Sequence, residues 1–205
     1  MLPETLILAF DTSAAHCAAA LLSGDRIVAE ALVPMEKGQS EALLPLLESV
    51  LAPYQWADLS ALAVGTGPGN FTGVRISVAL ARGLALGLNI PAIGVTRLEA
   101  LAHGLPRPVT VIEDARRGAV YLQGFGTPDE GARLTDLSDL PAACNTALTT
   151  GSAAANPLAP AMPLTHAIAH IAASRLGYTN PRPAPFYLRG ANAAPPSDPP
   201  PVILP

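Results

Sequence analysis

Residues 65–75, GTGPGNFTGVR, carry the strongest local signal for chemistry. Gly65, Gly67 and Gly69 fall within five positions, so the backbone here can approach a ligand or another chain closely. A helix starting just after them would offer free N–H groups to an anion. The stretch is no Walker loop, since no Gly-Lys-Ser/Thr follows, and its third glycine falls too early for G-x-G-x-x-G. Two readings stay open: a phosphate-binding loop using Gly67, Gly69 and Thr72, or a structural turn that lets two parts of the chain touch. Asp11, with Thr12 and Ser13, ends an apolar run and could position a metal-bound phosphate. Asp114 ends a later run and could face Asp11 across a cleft. Both could equally satisfy turn amides, which aspartates commonly do.

Other constellations are weaker. Of His16, His103, His166 and His170, only the last two are four apart on an expected helix, and no glutamate follows the first as in a metalloprotease helix. Gly-x-Ser-x-Gly is absent, so no nucleophile elbow is indicated. Cys17 and Cys144 form no Cys-x-x-Cys pair and read as reduced, buried thiols. No metal site is expected, because zinc would need more Cys or His at ligand spacing.

Positioning these residues takes a mixed α/β scaffold. Residues 5–10, 17–22 and 26–33 read as three consecutive strands, the last two a hairpin turning at Gly24-Asp25. Residues 39–51 switch to helical period with Ser40 as a candidate N-cap; Pro45 lies about one turn inside, where a missing N–H costs least. A strand at 59–64, the glycine loop, a helix at 71–88, a strand at 92–96 and a short helix at 97–104 complete an α/β lobe with crossover helices. Pro106 and Pro108 mark a boundary. Residues 109–112 and 118–126 repeat the opening pattern of strand, acidic turn and strand, a weak internal duplication. Residues 127–163 lack periodicity apart from a candidate strand at 147–151, and 165–176 read as a helix capped by Thr165. The expected organisation is a first lobe at 1–105, a smaller second lobe at 106–190 and a proline-rich tail at 191–205.

Composition narrows the function. Half of the 205 residues are hydrophobic and only 14% are charged, which excludes wholesale disorder. The net charge of -4 argues against this chain gripping a nucleic-acid backbone alone. Glu4 stands where a signal peptide would be basic, and Asp11 breaks its apolar run. The best membrane-span candidate, residues 77–95, is interrupted by Arg82, Asn89 and Pro91. A soluble cytoplasmic protein is expected, with no membrane contact.

The helix at 71–88 is the most informative element. Its only charges are Arg75 and Arg82, seven apart; Gly73, Ser77 and Ala81 form one row of small residues, and Ala79, Gly83 and Gly87 another. A helix apolar nearly all round is covered on more than one side. One side can meet the lobe's own sheet, and the small rows admit a second helix. With the helix at 39–51, this predicts a subunit interface involving Leu43, Leu47, Leu51, Gly73, Arg75, Ile76, Ala79, Arg82, Gly83 and Leu86.

The segments LILAFDTS (6–13), QSEALLP (39–45), AVGTGPGNFTGVRISVALARGLALG (63–87), IGVTRLEALA (93–102), IEDARRGAVY (112–121) and FYLRG (186–190) occur in order. Together they resemble the TsaB (YeaZ) family over residues 5–190. The resemblance implies a reduced actin-like, sugar-kinase and Hsp70-like (ribonuclease H-like) fold in two lobes. It implies a non-catalytic subunit that pairs with TsaD through first-lobe helices, with the ATPase TsaE joining. TsaD transfers a threonylcarbamoyl group to N6 of adenosine 37 in tRNAs reading ANN codons, so tRNA is expected as a partner only through the complex. TsaD-like enzymes hold metal with paired helix histidines; the matching helix here has Gln39 and no second histidine, so the resemblance implies no metal. A homodimer through the same helices is expected when the partner is absent. The alternative is an actin-like-fold ATPase or phosphotransferase using the 67–73 loop with Asp11 and Asp114. No resident cofactor is expected; a nucleotide at the subunit interface, touching Asp11, Thr12, Gly67, Gly69 and Thr72, is the remaining option.

Overall fold

Side-chain alternation decides the first layer. The computed structural model describes residues 4–127, 131–145 and 147–189, and the tail at 191–205 lies outside them. In β1 (Leu6–Asp11) every residue is buried, but successive side chains leave on opposite faces. Leu6, Leu8 and Phe10 enter one core, and Ile7 and Ala9 enter another. A strand covered on both faces has to be apolar throughout, which is why its sequence is an unbroken run.

β2 (His16–Ser23) pairs antiparallel with β1, and β3 (Arg26–Pro34) with β2. α1 (Gln39–Leu51) follows, then β4 (Ala61–Gly65), parallel to β1. α2 (Phe71–Leu88) crosses over to β5 (Ala92–Val95), parallel to β4. The strand order is β3-β2-β1-β4-β5. A three-stranded meander extended by two parallel crossover strands is the ribonuclease H-like arrangement of actin-like proteins and sugar kinases. α1 and α2 cover the Leu8 and Phe10 face through Leu43, Leu47, Val74 and Val78.

After α3 (Arg97–Ala102) the chain builds a second sheet. β6 (Val109–Asp114), β7 (Ala119–Phe125), β8 (Arg133–Asp136) and β9 (Thr149–Thr150) lie in the order β8-β7-β6-β9. β6 pairs antiparallel with β7 and parallel with β9, as β1 does with β2 and β4. The duplication suggested by the sequence is therefore one of topology. α4 (Leu164–Arg175) then returns to the first sheet. Its Ala167, Ile168, Ala169, Ile171 and Ala172 pack with Ile7, Ala9, Ile93 and Val95. The expected grouping of 106–190 in one lobe thus splits: without α4, the Ile7 face of β1 would be bare.

Three local expectations are corrected. Ser40 lies inside the first turn of α1 and hydrogen-bonds Glu41; the N-cap is Gly38, at φ 87°, in the region glycine tolerates best. α4 starts after Pro163 with no side-chain cap, and Thr165 is buried within it. β8 forms in a stretch without periodicity because it is a short, half-buried edge strand, where packing imposes little pattern. α2, by contrast, starts and stops as the sequence indicates, with the Asn70 side chain accepting from the Gly73 N–H. By length and composition α2 could cross a membrane. Its inner stripe, Val74, Val78 and Ala81, instead packs on the sheet.

Candidate functional site

Asp11 closes β1 and is 1% exposed. Its Oδ1 accepts from the Ser13 N–H at 3.0 Å and the Ser13 hydroxyl at 2.9 Å, and lies 3.0 Å from His16 Nε2. Burial pushes the carboxyl pKa up, but the His16 hydrogen bond, the Arg97 and His16 charges and the Ser13 hydroxyl together hold it below 3.8. Oδ2 is buried without a hydrogen-bond partner and lies so close to Gly65 that a Cβ there would overlap it. Thr12 donates its hydroxyl to the Gly73 carbonyl at 2.6 Å. A Cβ on Gly73 would strike the Thr12 carbonyl, and one on Gly69 the Ser13 carbonyl. The Asn70 N–H donates to Ser13 O at 2.6 Å.

The glycines of the loop are thus used for approach to the chain's own 11–13 turn. As a phosphate cradle the arrangement fits poorly, since the Asp11 Oδ1, the Thr12 hydroxyl and the Asn70 N–H are committed to neighbours. Gly67 has φ 88°, and its carbonyl accepts from the Arg97 N–H. Thr72 is exposed at the start of α2.

A cleft of about 900 Å³ opens between the two sheets. Ser13, Asn70 and Phe71 line one side, and Glu113, Asp114 and Arg116 the other. Asp114 is exposed, and its Oδ1 accepts from the Arg116 N–H at 2.8 Å. It serves its own turn, as Asp11 serves its own. Arg97, at the start of α3, reaches Glu113 on β6 through both Nε and Nη2 at 2.8 Å. Glu113 Oε2 also accepts from the Ser152 N–H. Residues 186–189 cross from one sheet to the other: the Phe186 N–H donates to Thr66 O, Tyr187 stacks on Phe71 at 5.0 Å, and Arg189 donates to Ala115 O. Arg75 lies 4.6 Å from the centre of the Phe71 ring.

Sequence reasoning assigned no role to Arg97, Glu113, Tyr187 or Arg189, although all four lie in the segments that carry the family resemblance. Nothing in their spacing reveals that they meet. The histidines disperse: His16 serves Asp11, His166 contacts Glu30, and His103 stacks on His170 at 6.4 Å. Among the described residues no group of three or more His, Cys, Asp or Glu is arranged to hold a metal ion. Gln39 is buried and donates its amide to Met35 O.

The helix faces require a correction. Leu43 and Leu47 are fully buried and Leu51 nearly so, and Gly73 is buried against Thr12. These four cannot contact a partner. An amphipathic helix turns its apolar stripe to its own sheet, and α1 does this, leaving Leu44 as its exposed leucine. On α2 the expected residues do face outward: Arg75, Ala79, Arg82, Gly83 and Leu86 are exposed, with Ile76 half-buried beside them. A Cβ added at Gly83 or Gly87 would meet nothing within 4 Å.

Two stacked α/β units, a buried carboxylate ending β1 and an interdomain cleft define a reduced member of the actin-like and sugar-kinase class. A family model described as TsaD, tRNA N6-adenosine threonylcarbamoyltransferase, matches residues 32–137, just over half of the chain. The chain is 38% identical over 133 residues to the tRNA threonylcarbamoyladenosine biosynthesis protein TsaB of Escherichia coli K12, covering 61% of this chain and 57% of that one. It is 43% identical over 123 residues to the Bacillus subtilis 168 protein of the same name, covering 56% and 52%. It spans little more than half the length of these relatives. Its fold matches the crystal structure of an uncharacterized protein with similarity to peptidase YeaZ from Pseudomonas aeruginosa, with TM-score 0.72 and 25% identity over 90% of this chain and 100% of that one. YeaZ from Pseudomonas aeruginosa gives a TM-score of 0.70 at 23% identity, again over 90% and 100%. The chain belongs to the TsaB (YeaZ) family within this wider TsaD group.

Proposed function

We propose that this chain is a non-catalytic partner subunit that binds TsaD and activates it for N6-threonylcarbamoylation of adenosine 37 in tRNAs reading ANN codons. TsaE joins the pair, and tRNA is met only through the complex. The observation that carries this reading is the outer stripe of α2. Ala79, Gly83 and Gly87 present an exposed row with little bulk, flanked by the exposed Leu86 and Arg82, the profile of a helix–helix contact awaiting its second member. A standard interface would bury about 800 Å² on this side. The committed hydrogen bonds of Asp11, Thr12 and the glycine loop also support a role without turnover.

Gly83→Leu tests it. Space around Gly83 is open, and replacing a helix-interior glycine by leucine favours the helix by up to about 1 kcal/mol, so the variant stays folded. Its bulk would hold a second helix away. Size-exclusion chromatography with light scattering on a mixture with TsaD of the same organism is expected to show a one-to-one complex for the wild type and none for Gly83→Leu. Undiminished complex formation by the variant would overturn the α2 interface.

A further inference from the structure

At its C-terminal end the exposed stripe of α2 runs into a second cleft, of about 500 Å³, closed on its far side by residues 178–183. Leu86 and Tyr178 line it. At 77% and 76% exposure they are the two most exposed large hydrophobic residues among those described. Arg82 and Arg182 line it too, and the lining contains no Asp or Glu. Neither arginine makes an ion pair among the described residues. The walls are fixed: Asn89 ends α2 in the left-handed conformation, at φ 55°, and Asn180 donates its amide to both Arg175 O and Tyr178 O at 2.9 Å.

A chain of net charge -4 thus has a local positive pocket rimmed by bare apolar side chains. The end of α2 contributes a partial negative charge of roughly half a unit, which two full guanidinium charges outweigh. We infer that this cleft receives an acidic segment of the partner subunit: carboxylates meet Arg82 and Arg182, and an apolar side chain lies between Leu86 and Tyr178. The inference rests on the reading of α2 as the partner face, with which it shares Arg82 and Leu86. A second copy of this chain is the poorer occupant. α2 carries no acidic residue, and self-pairing of this face would bring arginine toward arginine; on α1 the copy offers Glu41 and Glu48 against them. Complementary charge of this kind raises association rate and selects the partner.

The test measures binding of the full chain to TsaD of the same organism at 50 and 300 mM NaCl. The proteins compared are wild type, Arg82→Glu/Arg182→Glu and Gly83→Leu, each checked for an unchanged melting temperature or better. The double reversal is expected to weaken binding by roughly tenfold or more at low salt and to remove most of its salt dependence. If wild type binds, Gly83→Leu does not, and the double reversal binds within twofold of wild type, the cleft inference is overturned and the α2 reading stands. If wild type fails to bind, both fall. If the double reversal abolishes a homodimer of the isolated chain while TsaD binding is unchanged, the occupant is a second copy and the acidic partner segment is overturned.

Discussion

A buried carboxylate with one satisfied oxygen and one orphaned one is stable only while its charge is supported. Asp11 Oδ1 draws two hydrogen bonds from Ser13 and one from His16, while Oδ2 faces Gly65 with no partner. The pKa is held below 3.8 against the upward push of burial, so the folded state binds a proton less readily than the unfolded chain. The stabilisation linked to this is complete above pH 3.8 and is lost as pH falls through the lower folded value. Asp11→Asn removes the charge, and is expected to cost about 1.5–3 kcal/mol near neutral pH, the range for hydrogen bonds to an ionised group. Urea unfolding of both proteins at pH 6, 4 and 3 checks it: the gap should narrow at pH 3. A gap that stays constant down to pH 3 would mean that folding does not lower the pKa of this carboxyl.

Elements show which part of the architecture the sequence carries openly. Helix α2 is legible almost to the residue, because it lies between the glycine-rich loop and the Asn89–Pro91 interruption and its small residues fall in rows; the Asn70 cap and the left-handed Asn89 emerge only from the structure. Period, however, does not say which stripe is outermost. In α1 the leucines that look like a contact surface are the ones the sheet takes, and only Leu44 remains outside. Strand β8 leaves no pattern, since an edge strand of three half-buried residues and one exposed residue needs none. The glycine loop is subtler still: Gly73 and Gly83 sit on one helix and look alike in sequence, yet the first abuts the Thr12 carbonyl and the second open space. Their alanine variants should therefore move stability in opposite directions. Gly73→Ala forces the start of α2 away from the 11–13 turn, at about 1–3 kcal/mol, while Gly83→Ala gains up to about 1 kcal/mol of helix propensity. Thermal melts of the two variants should shift to opposite sides of wild type, by roughly 2–4 °C per kcal/mol for a chain of this size. Two shifts of the same sign would contradict the close contact at Gly73.

At the scale of the molecule, the question is what holds two duplicated sheets in one orientation. The cores do not merge: Ile7, Ile93 and Ile168 belong to one cluster, and Val109, Val111 and Tyr121 to another, with Leu98 of α3 in the second. Between them run the Arg97–Glu113 pair and the crossing segment at 186–189. Arg97 is 20% exposed and Glu113 9%, so their ion pair escapes the screening that makes surface pairs worth little. Removing only one member would leave the other buried and unpaired, which costs more than the pair itself contributes. A double-mutant cycle separates the two effects. Arg97→Met and Glu113→Gln should each destabilise, and the double variant should lose less than their sum, with a coupling energy of about 1.5–3 kcal/mol by chemical denaturation. Because Arg97 also helps hold the Asp11 pKa down, the part of the Arg97→Met cost that runs through Asp11 should shrink as pH falls below 3.8, since the variant's folded pKa lies closer to the unfolded one. Additive single effects would mean that the sheets are oriented by the packing of α3, whose Ala100 enters one core and Leu98 and Ala102 the other, and by the 186–189 crossing, with Arg97 mattering only as a neighbour of Asp11.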